Sequence, residues 1–141
     1  MEPLYIAHAV SSGAGRDGHV ATDDGLIDLE LAVQKELGGP GGKSNPEQLF
    51  AAGYAACFHS ALQAVARVAR VELGKSTVES SVGIGKEGEG FVLNAVLEIA
   101  TPDLPRKVAE DLVAKAHRAC PYSHATRGNI DVDIDLVETA D

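Results

Sequence analysis

The chain has no tryptophan, a single methionine and only two cysteines among its 141 residues. Two cysteines are too few for a disulfide-stapled secreted scaffold and too few for an all-thiolate structural zinc site. They leave redox chemistry, or a pair of inert thiols in a core, since free cysteine is among the most buried residue types. Basic residues are also scarce: 12 Lys and Arg stand against 21 Asp and Glu, a formal charge of −9, and no Lys/Arg run occurs. The electrostatic footprint of a nucleic-acid binder is therefore missing, which excludes nucleic acid as the main partner. Met1 to Gly15 offers neither the basic start nor the apolar run of a secretory signal. A cytoplasmic protein is the expectation.

What is present fits a folded chain. Hydrophobic residues at 45% and charged residues at 23% argue against disorder. The length suits one core, so residues 1–141 are read as a single domain. Abundant Ala and Gly point to close helix and sheet contacts.

Leu4 to Val10 reads as a strand entering a glycine-rich loop that carries Arg16. His19 to Thr22 and Leu26 to Val33 flank Asp23, Asp24 and Gly25, a hairpin signal, because these residue types tolerate the positive φ of a tight turn. After a Gly/Pro loop at Gly38 to Gly42, Asn45 followed by Pro46 marks a helix start, with Gln48 in the position of a capping box. That helix is predicted from Pro46 to about Arg70. Ser76 to Lys86 and Phe91 to Thr101 read as two strands joined by Glu87, Gly88, Glu89 and Gly90. Pro105 opens a second helix with Cys120 as its last residue, and Ile130 to Leu136 alternates with aspartates as a one-sided final strand.

From Leu49 to Ala66 the first helix has only Tyr54, His59, Ser60 and Gln63 as polar side chains, so protein should surround it. A membrane span is the competing reading. Much of the stretch is Ala and Gly, whose transfer energy is far below that of Leu or Ile, which favours a buried central helix. The order of elements argues for an α+β fold with antiparallel sheets packed around that helix. Covering it all round is difficult for one chain of this size, so a homodimer of two mutually wrapped chains is expected.

Cys57 lies mid-helix, where desolvation raises a thiol pKa and makes it inert unless a cation stands beside it. Arg16 is the candidate cation; the ordinary alternative is a turn arginine paired with Asp17. Glu47 is a candidate to hold the guanidinium, although an acidic residue in a first helical turn also suits the macrodipole. Glu47 and Cys57 are separated by about 15 Å along one helix and cannot touch directly. Either Arg16 bridges them, or the glutamate comes from a second subunit, or the helix starts later. Cys120, at a helix end before Pro121, is expected to be the more accessible and mobile thiol. A mixed zinc site of Cys57, His117, Cys120 and His124 lacks any short chelating pair, and Ser60 with a histidine lacks a nucleophile elbow. No metal and no cofactor are expected.

Two segments carry a resemblance. Asn45-Pro46-Glu47-Gln48-Leu49-Phe50-Ala51-Ala52-Gly53-Tyr54-Ala55-Ala56-Cys57-Phe58, and Cys120-Pro121-Tyr122-Ser123 leading through Ala125-Thr126-Arg127-Gly128-Asn129-Ile130, resemble the organic hydroperoxide resistance (Ohr) branch of the OsmC/Ohr superfamily. The resemblance implies an intertwined α+β homodimer with Cys57 as the peroxidatic thiol, Cys120 as the resolving thiol, and Arg16 with Glu47 stabilising the thiolate. It implies a peroxidase that reduces organic hydroperoxides through a Cys57 sulfenic acid and a Cys57–Cys120 disulfide, with a dihydrolipoyl group as reductant. An apolar lining of Phe50, Tyr54 and Phe58 would favour alkyl or lipid hydroperoxides. His124 stands where the family commonly has an asparagine. The sister OsmC branch and a non-catalytic module that binds a small apolar ligand are the alternatives.

Overall fold

Asp24 and Gly25 make the first turn the sequence promises. Gly25 takes φ of 72°, and Asp24 Oδ1 accepts hydrogen bonds from Thr22 Oγ1 and from the Leu26 N–H. In the computed structural model, which describes residues 1–141, this turn joins β2 (His19–Thr22) to β3 (Asp28–Glu30), and β1 (Ala9–Ser12) pairs with β2 on the other side. The chain divides into two units, Met1–Leu49 and Phe50–Asp141.

In the first unit the strands are shorter than expected. β1 starts at Ala9 rather than Leu4, because its ladder partner is only four residues long and ends at the turn. Leu4, Tyr5 and Ile6 are left exposed. β3 stops at Glu30: the next residue, Leu31, donates its N–H to the Gly18 carbonyl and bridges to Ser44. The Arg16 loop is a 3-10 turn over Gly15–Asp17, pinned where Asp17 Oδ1 accepts the Val33 N–H at 2.8 Å.

The boundary between the units falls inside α1 (Pro46–Val68). Asn45 caps it as predicted, its Oδ1 accepting the Gln48 N–H at 2.9 Å. The helix ends before Arg70, which is left-handed at φ 56° while the Val71 N–H turns back to the Ala66 carbonyl. By length and composition α1 could cross a membrane. Its apolar residues Tyr54, Phe58, Ala61, Leu62 and Ala66 are instead part of the core of the second unit. The opposite side, with Ala52, Ala56, Ser60 and Gln63, is exposed in the single chain, so the all-round cover expected for this helix is half present.

The second unit holds β4 (Thr77–Glu87) and β5 (Gly90–Ala100), a long antiparallel hairpin whose tight turn uses Gly88 at φ 63°. α2 (Arg106–Ala119), the short α3 (Pro121–Thr126) and β6 (Asp131–Glu138) follow. β6 pairs with β5 in parallel, from Asn94↔Asp131 to Ala100↔Glu138. The α+β fold is as expected; the expectation of antiparallel sheets is corrected at β6 alone, whose parallel pairing makes the second sheet mixed. A parallel pair needs a long crossover, and α2 with α3 provides it. The core joins Tyr54, Phe58 and Leu62 of α1, Leu97 and Ile99 of β5 and Leu112 of α2, all 0–1% exposed. Each such side chain contributes about 1.5–3 kcal/mol of burial.

Candidate active site

The Cys57 and Cys120 sulfurs lie 3.6 Å apart, both as free thiols. Two different local structures deliver them. Cys57 is carried by the continuous helix α1, whereas Cys120 is the residue at which α2 ends and α3 begins. Pro121 has no N–H to continue the first helix but suits the opening position of the second, so the chain re-starts there. Cys120 is accordingly an N-cap as well as a C-cap, and its sulfur accepts the Ser123 N–H at 3.5 Å.

The expected accessibilities are reversed. Cys120 is fully buried at 0% exposure, while Cys57 is partly open. At the junction Cys120 alone turns into the core, while its neighbours Arg118, Ala119, Pro121 and Tyr122 stay exposed, and α3 buries Ser123 and Thr126 behind it instead of fraying into a loop. Burial pushes the Cys57 thiol above its ordinary pKa; the Tyr122 backbone N–H pulls it down, and the neighbouring Cys120 raises it further. His124 is exposed, and the Cys120 sulfur takes its hydrogen bond from the Ser123 N–H.

Beside the thiols three aromatic rings meet edge to face or tilted. Phe50 and Tyr54 centroids are 6.3 Å apart, Phe50 and Tyr122 6.1 Å, and Tyr54 and Tyr122 5.8 Å. Tyr54 and Phe58 are fully buried and do not line an open surface; Tyr122, at 39% exposure, and the partly buried Phe50 do. Tyr122 lies against Gly53, where a Cβ would stand 2.8 Å from its hydroxyl oxygen and 3.1 Å from Cε2. The buried Tyr54 hydroxyl is 2.8 Å from Ser123 Oγ and 3.1 Å from Thr126 Oγ1.

In the first unit Arg16 faces Glu47, not Asp17. Arg16 Nη1 donates to Glu47 Oε2 at 2.9 Å and Nη2 to Oε1 at 2.8 Å, a bidentate fork. Gln34 Nε2 adds a third donor to Oε2 at 2.9 Å. The guanidinium, followed by the Gln34 amide and the helix start, holds the Glu47 carboxyl down to about 2 against the opposing effect of burial. The carboxylate in turn raises the Arg16 pKa. Gln34 escaped the sequence reading, because it sits in irregular chain and no motif marks a residue that bonds a partner thirteen positions on. Its Oε1 is buried without a hydrogen-bond partner.

The mixed zinc site does not assemble, as no three His, Cys, Asp or Glu side chains converge. His59, next to Ser60 on α1, has its Nε2 2.8 Å from Ser76 Oγ.

Residues 39–135 match the family model described as OsmC-like protein. The organic hydroperoxide resistance protein of Xanthomonas axonopodis pv. citri (strain 306) is 50% identical over 135 residues, covering 94% of each chain. Organic hydroperoxide resistance protein OhrB of Bacillus subtilis (strain 168) is 45% identical over 137 residues, covering 94% of this chain and 98% of that one. Among solved structures, an organic hydroperoxide resistance protein from Legionella pneumophila superposes with a TM-score of 0.92 at 50% identity, covering 96% of this chain and 98% of that one.

Proposed function

This chain belongs to the OsmC-like family, among its organic hydroperoxide resistance proteins, and on that footing we propose that it is a thiol-dependent peroxidase reducing organic hydroperoxides to alcohols. The observation that carries the reading is the 3.6 Å approach of Cys57 to Cys120, with Cys57 the more exposed of the two sulfurs. The Cys57 thiolate attacks the terminal oxygen of R–O–OH. The O–O bond breaks, RO⁻ leaves and takes a proton to become the alcohol, and Cys57 is left as a sulfenic acid. Cys120 then attacks the Cys57 sulfur, hydroxide departs as water, and a disulfide joins the two.

A buried thiol needs a cation to ionise at neutral pH, and that task is assigned to Arg16, held by Glu47. The same positive charge favours the departing alkoxide. The exposed edge of Phe50 and Tyr122 offers apolar contact to an alkyl or lipid chain and none of use to hydrogen peroxide. Regeneration requires two electrons from a dithiol, of the dihydrolipoyl kind. The physiological role is defence against oxidative stress in the cytoplasm.

Residues 1–141 act as a single functional domain, since the family match crosses the boundary after Leu49. The working form is an intertwined homodimer: a second copy covers the exposed side of α1 and the exposed Leu4, Tyr5 and Ile6. Light scattering gives a mass twice that of the chain, and a monomer under all conditions rejects this assembly.

Stoichiometric cumene hydroperoxide added to the reduced protein tests the chemistry. Both thiols disappear into one intrachain Cys57–Cys120 disulfide, far faster than with hydrogen peroxide. Cys57→Ser does not turn over, and Cys120→Ser permits a single oxidation. Thiols that persist in excess peroxide refute the peroxidase.

A further inference from the structure

Deepening the peroxidase reading, on which it rests for its catalytic meaning, we infer that Tyr54 is a positioning residue for disulfide closure: its hydroxyl locks α3 to α1 through Ser123 and Thr126 and so sets the Cys57–Cys120 separation. Tyr54 precedes Cys57 by three residues on α1, and Ser123 follows Cys120 by three at the start of α3. The lock therefore sits about one helical turn from each sulfur.

The hydrogen bonds form a closed set. Thr126 Oγ1 donates to the Ser123 carbonyl at 3.3 Å, so its proton is used and it meets Tyr54 as an acceptor. The Tyr54 O–H then donates to Thr126, and the Ser123 O–H donates to the Tyr54 oxygen at 2.8 Å. A single acceptor would have satisfied a buried phenol; here it engages two side chains of α3, themselves 0% and 4% exposed. Ser123 also holds the Cys120 sulfur through its backbone N–H. One residue thus joins the resolving sulfur to the Tyr54 lock.

The sulfurs must approach from 3.6 Å to bond length, about 2.05 Å in a disulfide. Cys57 is carried by α1 and Cys120 caps α3, so the approach depends on how closely α3 is held to α1. If closure is slow, the Cys57 sulfenate meets a second hydroperoxide: it takes the terminal oxygen, becomes a sulfinate, and a second alcohol leaves. The lock therefore decides between a reversible disulfide and irreversible loss of the enzyme.

Tyr54→Phe removes only the hydroxyl and keeps the ring in the core. Thr126→Val removes the acceptor at similar volume, and Thr126→Ser restores it. In a single turnover with cumene hydroperoxide, quenched and read by mass spectrometry, the first oxidation of Cys57 proceeds at the wild-type rate in Tyr54→Phe. Disulfide closure slows about tenfold, the value of one lost buried hydrogen bond, and sulfinate per turnover rises. Thr126→Val shows the same split, and Thr126→Ser returns closure to near wild type. In a dithiothreitol redox buffer without peroxide, the Cys57–Cys120 disulfide of Tyr54→Phe forms at equilibrium about tenfold less readily. Wild-type closure rate and equilibrium constant in both Tyr54→Phe and Thr126→Val overturn the inference. A protein whose thiols ignore peroxide yet show the redox-buffer difference keeps the lock and loses the peroxidase.

Discussion

Arg16 and Glu47, distant in sequence, meet through two parallel N–H···O bonds of 2.9 and 2.8 Å, with Gln34 closing a third on the same carboxylate. The Glu47 carboxyl is held at about 2 in the folded chain, against about 4.3 in an unfolded one. A carboxyl depressed on folding stabilises fully above the unfolded value, and the effect is lost as pH falls from about 4.3 toward about 2. Arg16 is 40% exposed, which screens the pair. Glu47→Gln is expected to cost about 1–2 kcal/mol at neutral pH. Urea denaturation of both proteins measures it: the gap narrows in acid, and a gap independent of pH contradicts the assignment of charge.

The burial difference between the thiols sets an order of modification. Limiting iodoacetamide on the reduced protein labels Cys57 before Cys120, because Cys120 is 0% exposed. Peptide mass spectrometry reads the order. Preferential labelling of Cys120 means that the α2–α3 junction opens in solution.

Cys120 also raises the Cys57 pKa, by hydrogen bond and charge. Cys120→Ser removes that neighbouring sulfur, so the Cys57 thiolate forms at lower pH than in the parent, while burial continues to oppose it. Ultraviolet thiolate absorbance against pH tests the direction. Arg16→Gln shifts the same titration upward if Arg16 is the activating cation, and leaves it unmoved if it is not.

Gly53→Ala brings a Cβ to 2.8 Å from the Tyr122 hydroxyl oxygen, so the ring swings outward into the solvent it already meets. Alanine's helix propensity offsets part of the strain, leaving stability within about 1 kcal/mol of the parent. The apolar edge with Phe50 is broken, and the ratio of rate constants for cumene hydroperoxide over hydrogen peroxide falls several-fold. Tyr122→Ala lowers that ratio in the same way. Unchanged ratios in both variants remove Tyr122 from substrate preference.

Much of the scaffold was legible because its signals are local. Asn45 and Pro46 start α1 where expected, Gly25 and Gly88 turn their hairpins, and the cysteine segments could be recognised as written. The same local reading gave Cys120 the wrong environment. A cysteine before a proline looks like a frayed helix end, and nothing nearby announces that six residues will form α3 and seal it. It also spread the apolar lining over Tyr54 and Phe58, because a strongly apolar helix does not show which of its faces meets the core.

The cap of α1 and the two hairpin turns were determined by the sequence itself, since φ restrictions and capping bonds act within a few residues. The tertiary structure alone decided that β6 runs parallel to β5, that Cys57 rather than Cys120 is open, that Gln34 joins Arg16 on Glu47, and that Tyr54 closes a hydroxyl circuit with Ser123 and Thr126. Those outcomes depend on which distant surfaces are buried against each other. Tyr54 and Ser123 are 69 residues apart and the two cysteines 63, distances over which no local preference of the backbone acts and only the shared core brings side chains into register.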